Sequence, residues 1–164
     1  MRLLGLDPGL HRTGWGVVDA QAGRLSGVAC GVVKTNPDDD LASRLVTLHR
    51  GLMAILEGWK PDVAAVEETY VNTNARSALI LGQARGVVLL APALAGLEVH
   101  HYPAATVKKT VTGSGRAEKG QVAAVVGMLL PTLAGARADA ADALAVAICH
   151  AQHSAIHHYQ RSAG

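Results

Sequence analysis

"RLLGLDPGLHRTGWGVVDA", residues 2–20, changes character twice within nineteen residues. "RLLGLD" is a short apolar run that ends on an acid, "PGLHRTG" is turn-rich, and "WGVVDA" returns to alternation with β-branched residues. The pattern predicts two strands joined as a hairpin. "GRLSGVACGVVKT", residues 23–35, adds a third strand, with Gly23 and Gly27 marking a turn or bulge. Three strands with tight links form an antiparallel meander.

Downstream the period lengthens. "NPDDDLASRLVTLHRGLMAILEGWK", residues 36–60, has acids at its head and apolar residues at Leu41, Leu45, Leu48, Leu52, Ile55 and Leu56, so it reads as an amphipathic helix stopped by Pro61. "DVAAVEE" (62–68) is a fourth strand, "NARSALILGQARGVVLLAPALAG" (74–96) a long helix kinked near Pro92, and "LEVHHY" (97–102) a fifth strand. Helices over 103–113, 117–130 and 139–158 complete the chain, with "GSGR" (113–116) as a loop. Strands that return through helical crossovers run parallel to the first strand. The fold class is therefore α/β: a five-stranded mixed sheet, three strands antiparallel and two parallel, flanked by helices.

Composition agrees. At 164 residues, 49% hydrophobic, the chain has the size of one domain, expected over residues 1–158 with a short tail at 159–164. Aromatics are only 3% and Phe is absent, which suits a Val, Leu, Ile and Ala core between a sheet and close-lying helices. Cys30 and Cys149 are far apart without CxxC spacing, so reduced thiols are expected rather than a disulfide or zinc site. "MRLLGLDPG" meets an acid and a proline too early for a signal peptide, and no apolar run approaches the ~18 residues of a membrane span. A cytoplasmic protein is expected.

Charge is unevenly spread. Residues 1–68 carry a net −2, residues 69–137 a net +5 and the remainder −1. The middle is a candidate polyanion surface, although helices also shed Lys and Arg outward for solubility alone.

The acids pose the sharper problem. "GARADAADALAVAICH", residues 135–150, is an alanine-rich helix bound for burial whose first turn is expected to hold Asp139 and Asp142. Three apart, they share a helix face. Taken alone, the pair fits N-terminal capping and dipole complementation just as well. Asp7 and Glu67, however, end apolar strands, where a charge has no propensity reason to be. If those strands are parallel neighbours, both carboxylates leave the sheet at one edge, where open α/β folds place ligands. Two carboxylates ~5 Å apart repel by roughly 3 kcal/mol at an effective dielectric of 20, so four in one cleft need positive charge. Two divalent cations balance four carboxylates, and an oxygen shell suits Mg²⁺ or Mn²⁺. Paired ions of that kind catalyse in-line phosphoryl displacement, which makes a metal-dependent nuclease the expectation.

Four segments, "GLDPGLHRTGWGVV" (5–18), "AVEETYVNTNARSALILGQARG" (65–86), "VKKTVTGSGRAEKGQV" (107–122) and "ADAADALAVAICH" (138–150), together resemble the RuvC-type crossover junction endodeoxyribonucleases, the Holliday junction resolvases. The resemblance runs in order to about residue 150. It implies a ribonuclease H-like fold, a homodimer, paired symmetric nicking of four-way DNA junctions in recombination and repair with Mg²⁺ or Mn²⁺, and the RuvAB branch-migration machinery as a partner. It puts the catalytic, metal-holding carboxylates on Asp7, Glu67, Asp139 and Asp142, the four that spacing selects. By the same resemblance Lys108 and Lys119 contact DNA and support the reacting phosphate, with Lys119 counted among the catalytic residues, and Lys109 and Arg116 add backbone contacts. Tyr70 falls where the family often has Phe, at the junction centre; Asn74 and Arg76 lie within reach of a phosphate or base edge. Glu68 alternates to the opposite face and reads as a solvated neighbour.

Symmetry supports the dimer, because two nicks at related positions require two sites at a fixed separation. The helix around residues 77–95 is the candidate interface, with Arg85 serving packing or the dimer. Cys149, His150, His153, His157 and His158 have helical ligand spacing, yet helix-end histidines also suit the dipole without metal. Two other functions compete: a junction-binding module without chemistry, which would lack a carboxylate, and an actin-like or sugar-kinase phosphotransferase, which needs a second lobe that this chain is too short to hold.

Overall fold

The computed structural model describes residues 1–68 and 74–162, with side chains described through residue 155. Alternation along β1 (Arg2–Asp7) sends Leu3, Gly5 and Asp7 to one face and Leu4 and Leu6 to the other. β2 (Arg12–Gln21) returns antiparallel, setting Gly16 opposite Gly5 and Gly14 opposite Asp7. β3 (Arg24–Lys34) pairs antiparallel with β2 through a register shift at Val17/Val18, beside the expected irregularity at Gly27. β4 (Val63–Glu68) lies parallel to β1, and β5 (Glu98–Pro103) parallel to β4. The order is β3-β2-β1-β4-β5, the five-stranded mixed sheet expected from sequence.

Each face has its own core. Leu4, Leu6, Val17 and Val66 pack under α1 (Leu41–Trp59) and α2 (Ala75–Leu94), meeting Leu48, Leu52, Ala84 and Val88. Leu3, Val18, Val63 and Ala65 face α3 (Ala104–Thr112), α4 (Lys119–Leu129) and α5 (Ala138–Ser162). The alanines of α5 let it lie directly on the strands, and the strands reciprocate with glycine. A β-carbon on Gly5 would stand 2.0 Å from the Ala143 carbonyl oxygen, and one on Gly16 2.6 Å from Leu144. Residues Ala143–Cys149 are consequently fully buried.

Four features differ from expectation. α1 begins only at Leu41: Asp40 is its N-cap, accepting the Ser43 N–H at 3.0 Å, so Asp38 and Asp39 lie outside the helix. A 3₁₀ turn, Pro131–Leu133, intervenes before α5. α5 itself continues to Ser162, through most of the stretch expected as a tail. By length and composition α2, 20 residues with hydropathy 1.5, meets the test for a membrane-crossing helix, where the sequence reading saw no such run. It does so as an average rather than an unbroken run, because Gln83 and Arg85 interrupt it and Ala84, Val88 and Ala91 are buried against the sheet side.

Candidate active site

Strand parity builds half of the site. Val63 and Ala65 share the α5 face of β4, so Glu67 projects there too, as Asp7 does from β1. The Leu6–Val66 pair is in parallel register, which makes Asp7 and Glu67 the next residue on each strand. α5 supplies the other half. Its first turn crosses β2 at Gly14, where a β-carbon would stand 1.9 Å from the Asp139 carbonyl oxygen. Asp139 is thereby delivered to the strand ends, and Asp142, one turn later, follows on the same face. The first turn holds only Asp139; Asp142 belongs to the second.

The carboxylates feel one another. Burial, then the charges of Glu67 and Asp142, push the Asp7 carboxyl up to about 7; Asp139 adds to this and Lys119 opposes it. Burial and Asp142 raise Glu67 above the usual carboxylate range, against Lys119 and Lys108. Asp142 in turn raises Lys119, whose Nζ donates to Asp142 Oδ2 at 3.2 Å. The cluster carries more negative charge than its cations neutralise.

Two residues emerge that sequence reading did not single out. Arg12, the first residue of β2, donates from Nε to Asp139 Oδ2 at 2.5 Å. Thr13, fully buried, donates its hydroxyl to the Gly9 carbonyl at 2.6 Å and accepts the Gly9 N–H, closing the turn that separates Asp7 from Arg12. Both sit in the "DPGLHRT" stretch already conspicuous as a turn, but nothing local announces a partner 127 residues away.

The remaining expected contacts separate. Lys119 opens α4, where the Glu118–Gln121 capping box fixes the helix start, and its side chain reaches Asp142. Lys108 is half-buried and close enough to act on Glu67. Lys109, exposed, lines a different recess with Thr106, Thr110, Gln152 and His153, about three turns along α5 from the aspartates. Arg116 is exposed in the loop before α4. Arg76 is exposed at the start of α2. Asn74 is the N-cap of that helix: its Oδ1 accepts the Arg76 and Ser77 N–H groups at 2.9 and 3.1 Å, which leaves it only amide protons to offer DNA. Tyr70 lies outside the described residues. Glu68 is half-buried and engaged rather than simply solvated. Arg85 donates toward His101 Nδ1 at 3.2 Å, a contact between α2 and β5.

The histidines on α5 have another use. His150 is buried, 2.8 Å from the Tyr102 hydroxyl and stacked on His100 with ring centroids 4.3 Å apart. Burial, then His100, lower it to about 4, so it is neutral. Cys149 is a free buried thiol 3.6 Å from Thr110 Oγ1. His157 and His158 carry no described side chains.

The donor set at the strand ends fits hard divalent cations: carboxylate oxygens, crowded and undercompensated, with no sulfur or imidazole among them. Asp7, Glu67, Asp139 and Asp142 would hold such ions. Among the described residues, however, no three acids or histidines already stand in ion-holding geometry.

The family profile described as "Crossover junction endodeoxyribonuclease RuvC" matches residues 3–150. A protein of that name from Paramagnetospirillum magneticum is 60% identical over 153 residues, covering 93% of this chain and 92% of the relative. One from Azorhizobium caulinodans is 58% identical over the same length, covering 93% and 90%. Among solved structures, Thermus thermophilus RuvC in complex with Holliday junction substrate superposes with a TM-score of 0.87 at 34% identity, covering 95% of this chain and 96% of that one.

Proposed function

The chain belongs to the RuvC family of crossover junction endodeoxyribonucleases, and on that premise we propose how its carboxylate cleft cuts a four-way DNA junction. The enzyme is a divalent-metal-dependent endonuclease that resolves Holliday junctions. In the finer reading, two Mg²⁺ or Mn²⁺ ions are held by Asp7, Glu67, Asp139 and Asp142. Bound there, the ions supply Lewis acidity toward the phosphate and acidify the attacking water.

The chain's own residues do the rest. Asp7 and Glu67 are fixed by rigid strands and Asp139 and Asp142 by a buried helix, so the reacting phosphate meets a preorganised edge. Lys119, with one proton on Asp142 and most of its side chain exposed, presents positive charge at the mouth of the cleft. Lys108 does so from the Glu67 side. The net +5 of residues 69–137 attracts the duplex arms, with Arg116, Arg76, Lys109 and Asn74 as outer contacts and Tyr70 at the junction centre. Two copies act together. Leu79, Leu90 and Leu94 of α2 are 64%, 52% and 67% exposed, an apolar stripe suited to an isologous interface. A cytoplasmic dimer working with the RuvAB branch-migration machinery completes the reading.

The observation that carries it is the convergence of four carboxylates on one sheet edge beside Lys119. The test is a synthetic four-way junction incubated with Mg²⁺ or Mn²⁺ and the nicks mapped on each strand. Paired nicks at symmetric positions, abolished by EDTA, are expected. Junction binding with no metal-dependent nicking would leave a binding module instead.

A further inference from the structure

We propose that Arg12 is a displaceable counter-cation for Asp139, occupying that carboxylate in the metal-free protein and giving way when a divalent ion loads; the proposal rests on the metal reading above.

The geometry distinguishes the acids of the cleft. Asp7 and Glu67 are half-buried at strand ends and face other carboxylates. Asp139 and Asp142 each have a cation instead: Arg12 Nε at 2.5 Å from Asp139 Oδ2, and Lys119 Nζ at 3.2 Å from Asp142 Oδ2. The two pairs differ in kind. Lys119 is 77% exposed on a long flexible stem, while Arg12 is 35% exposed and emerges from β2, with its carbonyl close under Gly9. More positive charge backs it, because Lys34 is the register partner of Arg12 and Arg137 shares a recess with Lys34 and Ala140 beside Asp139. Asp139 is thus turned toward a cationic flank.

A guanidinium and a metal ion on one carboxylate draw on the same negative charge and repel each other. One carboxylate oxygen cannot keep a short charge-assisted hydrogen bond and also face a divalent ion without the cations repelling. Loading therefore costs the Arg12 contact, and the arginine sets the ion concentration at which the site fills. In return, Arg12 relieves carboxylate repulsion while the site is empty.

These two effects have opposite signs, which separates the proposal from a merely structural role. Arg12→Gln, and Arg12→Leu as a second variant, are compared with the wild type by titrating Mn²⁺ into the metal-free protein in a calorimeter, and by thermal unfolding without and with the ion. The variants are expected to bind Mn²⁺ roughly fivefold more tightly, the scale of one partly exposed ion pair, and to melt at a lower temperature without metal. Asp139→Asn should abolish the effect, so that adding Arg12→Gln to it no longer tightens Mn²⁺ binding. Weaker or unchanged Mn²⁺ affinity in folded Arg12 variants would overturn the proposal, since Arg12 would then support the loaded site or ignore it. Absence of Mn²⁺ binding by the wild type would instead sink the metal reading itself.

Discussion

Gly14 and Asp139 touch through backbone: there is no room for a β-carbon on β2 where the first turn of α5 crosses it, since that atom would stand 1.9 Å from the Asp139 carbonyl oxygen. Gly14→Ala must therefore lift the helix at the end that carries the aspartates. Overpacking of this kind costs roughly 1–3 kcal/mol. Because the displacement is largest at Asp139, junction cleavage should fall at least tenfold while the folded fraction at 25 °C stays near complete. Circular dichroism melts and cleavage rates on the same preparation check this. A rate that drops only in proportion to unfolding would show that the contact serves stability alone.

The carboxylate cluster predicts how stability depends on pH. Asp7 ionises near 7 in the folded protein and near 3.8 when unfolded. Between those values the folded state holds a proton that the unfolded chain has released, so this contribution is fully present below 3.8 and is lost as pH rises through 7. The scale is of the order of 4 kcal/mol at 1.36 kcal/mol per pH unit. Glu67 moves in the same direction. Metal-free Asp7→Asn should therefore be several degrees more stable than wild type at pH 8 and nearly matched at pH 4. Equal differences at both pH values would count against the cluster.

His150 gives the opposite slope. Its folded value, about 4, lies below the ordinary 6.5, so its contribution is complete above pH 6.5 and disappears as pH falls through 4. The Tyr102 hydroxyl, itself raised to about 12 by burial, stays protonated and shares a 2.8 Å hydrogen bond with His150 Nδ1. Urea titrations at pH 7.5 and 4.5 should show His150→Asn losing more stability at the higher pH. A loss of the same size at both would mean that His150 contributes only packing.

How much of this was legible in the sequence follows from the range of each signal. Alternation is local, so β1 and β4 announced that Asp7 and Glu67 end apolar strands on one face, and the Ala-rich run announced a helix that lies close to its sheet. The glycine partners of that helix went unremarked, Gly5 and Gly16 inside strands and Gly14 at the end of a turn, because they matter through contacts with residues more than a hundred positions away. Arg12 was hidden for the same reason. It occupies a turn-to-strand position where a cation needs no explanation, and its partner is set by the crossing of α5 over β2. The direction of Lys109 was illegible too: adjacent residues on α3 point about 100° apart, and only the packing of α3 on α5 decides which of the two lysines meets the carboxylates.

That divergence makes Lys119 and Lys109 a matched pair for separating chemistry from attraction. Lys119 lies within hydrogen-bonding distance of Asp142 and senses Asp7 and Glu67, so its charge stands beside the carboxylate cluster. Lys109 faces the recess with Gln152 and His153, on the same basic region but away from the carboxylates. Both contribute one positive charge toward a polyanion, and removing either should reduce the salt dependence of junction binding by about one unit of slope. Only Lys119→Ala should also slow single-turnover cleavage at saturating protein, by about a hundredfold, the scale on which loss of one preorganised charge next to a reacting phosphate is felt. Lys109→Ala should cleave at the wild-type rate once binding is saturated. If the two variants prove equal under saturation, Lys119 is an attractor like its counterpart, and stabilisation of the reacting phosphate must come from elsewhere in the cleft, with Lys108 beside Glu67 the next residue to replace.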